Sequence, residues 1–274
     1  TVLPRYAAWF KRFPDISILA SASLDDVLKA WEGLGYYRRA RFIHTTAQQM
    51  MTEHDGKFPR TYDDILKFPG IGRSTAGAIA SFCFGANTPV LDGNVKRVLK
   101  RWRGATGASE NQLWQWAQQA LDASANPSGW NQAMMDLGAT VCSPRVPDCV
   151  ACPVSAYCAV AFQGGASVRK KKSTSVRDVH WQVSIHVHPK DGIWFTRRPC
   201  SGIWAGLWTP PIDELVGRSD ISPCYIHLLT HRRLHLYGMV LNAAPTGKGR
   251  WVSDIKQLAI PTGIHRLLAK HGLC

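Results

Sequence analysis

The spacing of apolar and polar residues divides the chain into a helical first half and a mixed second half. Before residue 160 the apolar residues recur with the period of a helix, and no stretch alternates with the period of a strand. The first half is therefore predicted to be all-α. We predict helices over residues 4–13, 23–31, 36–53, 61–68, 76–84, 94–102, 112–123 and 130–141.

The second half alternates with the period of β-strands. Residues His180 to His188 alternate in this way, and Gly192 to Thr196 follow the turn Lys190-Asp-Gly192, which is typical of a β-hairpin. Residues Arg233 to Leu241 are predicted as another strand, and Thr262 to Lys270 as a closing helix. This half is therefore expected to be α+β.

Composition and length add a partner and a division into domains. The chain has 274 residues, a net charge of +14 and 11 tryptophans, which favours a polyanion and nucleic acid first, although a merely soluble basic protein is the alternative. No run of 18 apolar residues exists.

We predict domains at 1–160 and 179–274, joined by a linker at 161–178. Four consecutive basic residues at 169–172 either contact phosphate or are solvated.

Four cysteines follow the helical half with the spacing C-x6-C-x2-C-x5-C. They are Cys142, Cys149, Cys152 and Cys158. Thiolates at such spacing bind zinc or an iron–sulfur cluster, and spacing alone leaves both open. A metal is favoured over disulfides because the rest of the chain reads as an intracellular helical protein. The remaining cysteines are expected to be reduced.

The segment Phe68-Pro-Gly-Ile-Gly-Arg-Ser-Thr75 predicts a helix–hairpin–helix. Gly70 and Gly72 allow a tight turn and the close approach of a ligand, and the first amides of the second helix form a phosphate site. Such contacts position DNA without reading its sequence. The alternative is an ordinary turn between helices, with Ser74 or Thr75 as a helix cap.

An acidic residue, Asp92, lies between Leu91 and the basic helix that begins near Asn94. One interpretation is a helix N-cap, which is a common role for aspartate. The other is an ionised carboxylate in a basic cleft that stabilises a developing cation.

Several stretches of residues 1–160 together resemble the helix–hairpin–helix DNA glycosylase superfamily of the iron–sulfur type, and within it the adenine-excising members. The stretches are Gly33–Arg39, Phe68–Thr75, Leu91–Arg97 and Asn131–Gly138, followed by the four cysteines. The resemblance implies a [4Fe–4S] cluster in the cysteine loop. It also implies removal of adenine opposite 8-oxoguanine or guanine in double-stranded DNA, by a monomeric cytoplasmic enzyme.

The same resemblance implies roles for single residues. Asp92 matches the family's stabiliser of an oxocarbenium-like sugar, with Asn94 as its positioning partner. Tyr36 matches the wedge that fills the base stack beside 8-oxoguanine, although packing at a helix start is the alternative. Ser74, in the base pocket, stands where endonuclease III relatives have a lysine nucleophile, so a Schiff-base path is not expected. DNA contacts are expected from Gly70, Gly72, Arg73, Thr75 and Lys96.

The chain departs from the family at its start. The family's general-acid glutamate precedes the residues that match Thr1 to Pro4, and the chain opens without Met in an apparent helix. We therefore expect an N-terminally truncated sequence that is inactive or nearly so, because a missing general acid commonly costs about 10²–10⁴-fold in rate.

The stretch Arg197 to Pro211 resembles a Nudix-like domain that checks for 8-oxoguanine. Asp213 and Glu214 are the acidic residues that directly follow this stretch. Nucleotide hydrolysis needs a glutamate-rich helix to hold Mg²⁺, so it is not expected. Thr230 and His231 match the family's lesion-reading loop, and a plain surface turn is the alternative. Two other functions stay open, namely a non-catalytic DNA-binding module and an iron–sulfur glycosylase of the endonuclease III type.

Overall fold

A computed structural model describes residues 2–163, 176–216 and 222–273. The chain forms two compact units, Thr1–Gly56 with Ser173–Cys274 and Lys57–Lys172. Packing thus joins the first 56 residues to the C-terminal segment, whereas the sequence grouped them with the helical half. Most of the predicted linker, including the basic run at 169–172, lies outside the described residues. No helix in the described part is long and apolar enough to cross a membrane.

The first unit opens with four helices that begin at side-chain caps where the sequence offers them. Asp15 and Ser23 each accept a hydrogen bond from a backbone amide three residues ahead, which satisfies helix N–H groups that have no partner inside the helix. Ser23 lies at the predicted start of the helix over 23–31, whereas the six-residue α2 is too short to give a periodic signal. The helices are α1 Val2–Arg12, α2 Ile16–Ser21, α3 Leu24–Ala30 and α4 Arg38–Glu53.

The same unit contains a mixed sheet of seven strands within the described residues, in the order β3-β2-β1-β6-β5, with β4 beside β1 and β7 beside β2. The β1–β6 pair is parallel and the other pairs are antiparallel. The strands are β1 Arg177–His188, β2 Gly192–Arg197, β3 Trp208–Thr209, β4 Ile212–Glu214, β5 Tyr225–Leu228, β6 Arg232–Leu241 and β7 Arg250–Val252.

One face of this sheet forms a core with the last helix of the described chain, which spans Thr262–Lys270 as predicted. Alternate residues of β1 point to one face, so Trp181, Val183 and Ile185 are buried together with Leu267 of that helix. The helix and the mixed sheet confirm the α+β secondary structure expected for this half.

The second unit is helical, and its described residues include no strand. Its helices are α5 Tyr62–Leu66, α6 Arg73–Phe84, α7 Gly93–Trp102, α8 Glu110–Asp122 and α9 Pro127–Asp136; the helix at the chain's end becomes α10. The prediction of one α-helix through residue 141 is wrong for the final turn, since Leu137–Val141 is a π-helix. That turn packs closely on α7, because a Cβ on Gly138 would lie 2.7 Å from the Cβ of Asn94.

Candidate active site and metal centre

The turn between α5 and α6 leaves the start of α6 open. Gly70 has φ +79°, a left-handed conformation that favours glycine, and Gly72 is the N-cap of α6 without any side-chain hydrogen bond. The alternative that Ser74 or Thr75 caps the helix is therefore wrong. Within the described residues no acceptor meets the amides of the first turn, which carry the positive end of the helix dipole and can bind a phosphate.

Two contacts fix α6 against the segment that precedes Asp92. The Ser74 hydroxyl accepts a hydrogen bond of 3.1 Å from the amide of Leu91. On the next turn Gly77 packs against backbone, because a Cβ there would lie 2.4 Å from the carbonyl oxygen of Pro89. The hairpin and Asp92 are thus held at a defined separation by backbone groups.

Asp92 caps α7 with only one of its carboxylate oxygens. Its Oδ1 accepts hydrogen bonds of 2.8 Å from the amides of Asn94 and Val95. Its Oδ2 has no hydrogen-bond partner in the parts of the chain that the structure describes. The N-cap interpretation therefore holds, and it leaves one oxygen of a half-buried carboxylate available to a ligand.

Asn94 is connected to the cysteine loop through Arg97, a residue to which the sequence assigned no role. The Arg97 guanidinium donates to Oδ1 of Asn94 over 2.9 Å and, through Nε, to the carbonyl oxygen of Cys142 over 2.9 Å. The motif contained this arginine, but only the fold shows that it spans from α7 to the first cysteine.

Two basic residues predicted to contact DNA already have partners inside this unit. Lys96 donates to Glu110 over 2.6 Å, and this hydrogen bond lowers the pKa of the glutamate. The exposed Arg73 guanidinium lies 4.0 Å from the centre of the Trp114 ring. Both cations therefore have an orienting neighbour.

The four predicted metal ligands line one cavity of about 430 Å³. None of them is in a disulfide. Among the described residues no group of three or more His, Cys, Asp or Glu is arranged to hold a metal ion. The donor set nevertheless fits a thiolate-bound group, because all four cysteines line the same cavity and the buried Arg101 donates to Sγ of Cys142 over 3.4 Å.

The other unit brings together two residues predicted from distant stretches. The Tyr36 hydroxyl lies 2.8 Å from Oγ1 of Thr230, 194 residues later in the chain. Tyr36 has φ +49°, which is uncommon for a residue with a side chain, and it is 67% exposed. Thr230 and His231 are both exposed, and His231 accepts from the amide of Arg177 only through its backbone. The plain surface turn is therefore incomplete as a description of Thr230.

Glu32, just before the turn that carries Tyr36, is a residue that the sequence did not single out. Its carboxylate accepts from Lys29 over 2.6 Å and from His265 over 2.9 Å. Burial, the largest influence, would raise the pKa of Glu32, but hydrogen bonds from His265 and Lys29 outweigh it and lower the pKa. A second link joins Asp25 to Arg197 and to the Trp208 indole. No sequence signal connects residues so far apart.

Comparisons with known proteins agree with this arrangement of helices. The model of the HhH-GPD superfamily of base excision DNA repair proteins matches residues 1–121. A thermostable thymine-DNA glycosylase is 25% identical, with a TM-score of 0.54 over 58% of this chain and 76% of that one. Endonuclease III in a DNA complex, 23% identical with a TM-score of 0.52 over 58% of this chain and 75% of its own, shares the fold. The helical fold is that of the helix–hairpin–helix glycosylases.

Two relatives show which family of these glycosylases the chain resembles. The adenine DNA glycosylase of Buchnera aphidicola from Schizaphis graminum is 36% identical over 266 residues, which is 88% of this chain and 76% of the relative. The human adenine DNA glycosylase is 48% identical over 164 residues, 58% of this chain and 30% of the human protein. The chain belongs to the adenine DNA glycosylase family of the HhH-GPD superfamily.

Proposed function

We propose that this chain hydrolyses the N-glycosidic bond of adenine in double-stranded DNA, where adenine stands opposite 8-oxoguanine or guanine. The observation that carries the proposal is Oδ2 of Asp92, which has no hydrogen-bond partner among the described residues. This oxygen belongs to a carboxylate that is connected through Leu91 and Ser74 to the hairpin, whose second helix begins at Gly72 without a side-chain cap. A phosphate site close to a catalytic carboxylate suits an enzyme that binds the DNA backbone while it acts on a base.

The proposed chemistry follows from this geometry. Adenine inside a duplex is unreachable, so it is flipped into a pocket. As the bond to the base breaks, positive charge develops on the sugar, and the ionised carboxylate of Asp92 stabilises it. Asn94, whose side chain accepts from Arg97, helps to position Asp92 because its backbone amide donates to Oδ1 of that residue. Ser74 has no amine, so water rather than a lysine completes the reaction.

Tyr36 and Thr230 are proposed to read the base opposite the adenine. The exposed tyrosine ring has the area to fill a gap in the base stack, and stacking tolerates any base. The Thr230 hydroxyl can both donate and accept, which suits the altered edge of 8-oxoguanine. Their hydrogen bond supports a joint role. The same proposal includes His231 as part of the lesion-reading loop and residues 179–274 as a Nudix-like domain.

The cysteine loop is proposed to hold a [4Fe–4S] cluster through Cys142, Cys149, Cys152 and Cys158. When bound, such a group supplies four iron–thiolate bonds and a local redox-active charge. The loop's own residues position α7, because the carbonyl oxygen of Cys142 accepts from Arg97. We therefore propose that the loop with its bound cluster fixes α7, the helix that Asp92 caps.

A single-turnover excision assay tests the activity. It compares duplexes with adenine opposite 8-oxoguanine, guanine and thymine, using this chain and the same chain preceded by the N-terminal segment of a family member. Excision by the preceded chain, faster opposite 8-oxoguanine than opposite thymine, supports the proposal, and failure of the short chain alone supports the missing general acid.

Other outcomes decide against parts of the proposal. If both forms bind the lesion duplex and neither excises adenine, the chain is a DNA-binding module. If the short chain excises as fast as the longer one, the general acid lies within residues 1–274 and the expected deficiency is wrong.

A further inference from the structure

Arg101, near the C-terminal end of α7, is a deeply buried cation that the proposed chemistry does not use. Only 4% of it is exposed. Its Nη1 donates to the carbonyl oxygen of Ser143 over 2.6 Å and to Sγ of Cys142 over 3.4 Å, and its Nη2 donates to the carbonyl oxygen of Pro144 over 3.1 Å. One guanidinium thus holds three consecutive residues of the cysteine loop.

Among the described residues this buried charge has no anionic partner. Across residues 2–163, 176–216 and 222–273, Arg101 forms no ion pair with a carboxylate, and its buried Nε has no hydrogen-bond partner. Neutral carbonyl oxygens solvate a guanidinium but do not balance its charge. A buried cation is costly unless it is paired, so the fold implies a nearby anion.

The cavity beside Arg101 indicates where that anion lies. Arg101 lines it together with all four cysteines. The backbone also lies close by, since the carbonyl oxygen of Arg101 is 3.6 Å from Sγ of Cys158. A single residue therefore contacts both the first and the last cysteine of the loop.

We propose that Arg101 is the counter-ion and positioning residue for the group bound by the four thiolates. This inference rests on the proposed cofactor. A cation against the first thiolate offsets the negative charge of the ligand set, and its fork of donors fixes the loop from which that ligand projects. Removing the cation should weaken retention of the group. Removing the cation should also lower the reduction potential of the bound group. A nearby positive charge stabilises the more negative reduced form, so its loss makes reduction less favourable.

The test compares Arg101→Gln with Arg145→Gln. Arg145 is exposed and lines the same cavity, so its replacement makes the same charge change without touching a cysteine sulfur. The measurements are iron and sulfide per chain, the rate of iron release to a chelator, and the reduction potential by voltammetry. We expect iron release about tenfold faster in Arg101→Gln, since loss of a partner that orients a ligand typically costs 10–100-fold in metal affinity. Arg145→Gln should match the wild type.

Each result has a defined meaning. A wild-type chain without iron refutes the cofactor itself. If the wild type holds iron and the two glutamine variants agree in release rate and potential, the role of Arg101 is refuted. If Arg101→Gln does not fold by circular dichroism, Arg101→Lys decides, because it keeps the charge and loses the fork. Release from it that is faster than from Arg145→Gln supports positioning, and equal release refutes it.

Discussion

Two regions of the molecule carry the proposed chemistry, and they are assembled differently. In the unit 57–172, Ser74 contacts Leu91 only 17 residues later, and Asp92 is held by the next amides along the chain. In the other unit, Tyr36 meets Thr230 across 194 residues, beside side-chain links such as that between Glu32 and His265. The first region depends on local backbone groups and the second on distant side chains.

This difference has a consequence for how each region fails. A helix cap survives a conservative change, because several short polar residues can accept from the same amides. A link between distant side chains depends on two specific groups, and loss of one leaves the other buried without a partner. Substitutions in the first region should therefore separate chemistry from stability. In the second region the effect on stability should depend on burial: it should be large at the partly buried Glu32 and small at the exposed Tyr36.

The largest effect is expected at Asp92, where two substitutions separate capping from charge. Asp92→Asn keeps an acceptor for the α7 amides and loses the carboxylate, so the folded state should be nearly as stable while excision falls by about 10²–10³-fold. Asp92→Ala should lose the same activity and also about 1 kcal/mol of stability. Single-turnover excision, measured in the chain preceded by the N-terminal segment of a family member, and denaturant unfolding measure the two quantities. Activity of Asp92→Asn within threefold of the parent would remove the carboxylate from the mechanism.

The local region could be predicted from the sequence because its determinants lie close together. The spacing of the cysteines predicted ligands that line one cavity, and the two glycines predicted an open helix start. The features that the sequence analysis missed in this region depend on contacts between residues that are far apart in the chain. The π-helix over Leu137–Val141 brings Gly138 close to Asn94, and the role of Arg97 depends on a carbonyl oxygen 45 residues away.

A smaller effect is expected at Glu32, which the sequence did not mark. Glu32→Gln removes a charge that accepts from Lys29 and His265, and hydrogen bonds to charged groups contribute about 1.5–3 kcal/mol. We expect a loss of that order in the free energy of unfolding at pH 7. Glu53→Gln, a change at an exposed residue at the end of α4, is the matched control and should have little effect.

The pH dependence gives this prediction a sign. The folded pKa of Glu32 is lowered, so its stabilising effect is present above its ordinary pKa of about 4.5 and is lost as the pH falls through the folded value. The difference in unfolding free energy between the parent and Glu32→Gln should therefore shrink as the pH is lowered from 6 towards 3. A difference that stays constant or grows on acidification would contradict the role of the charged carboxylate.

The distant region resisted prediction for the same physical reason. Its strand β1 and helix α10 follow from local periodicity, and the sequence placed both. The partners of Glu32 are 228 and 233 residues away, at the Ile260 amide and His265, and no spacing rule connects them. Even Tyr36 and Thr230 came from a resemblance, and their contact is visible only in the fold.

The smallest effect is expected for the exposed pair Tyr36 and Thr230. Tyr36→Phe keeps the ring and loses the hydroxyl, while Thr230→Val keeps the shape and loses its hydroxyl. Since both side chains are exposed, neither change should alter the stability measurably. Dissociation constants for duplexes with 8-oxoguanine or guanine opposite adenine should show a coupling of about 0.5–1.5 kcal/mol between the two changes, confined to the lesion duplex.

A double-mutant cycle separates a shared role from two independent ones. If the hydrogen bond between the two hydroxyls orders the wedge and the reader together, the double variant should bind the lesion duplex no worse than the weaker single variant. Additive losses would show that each residue meets the DNA separately. Equal losses on both duplexes would assign the pair to general DNA binding, and the lesion-reading role of this region would then be wrong while the proposal for Asp92 still stood.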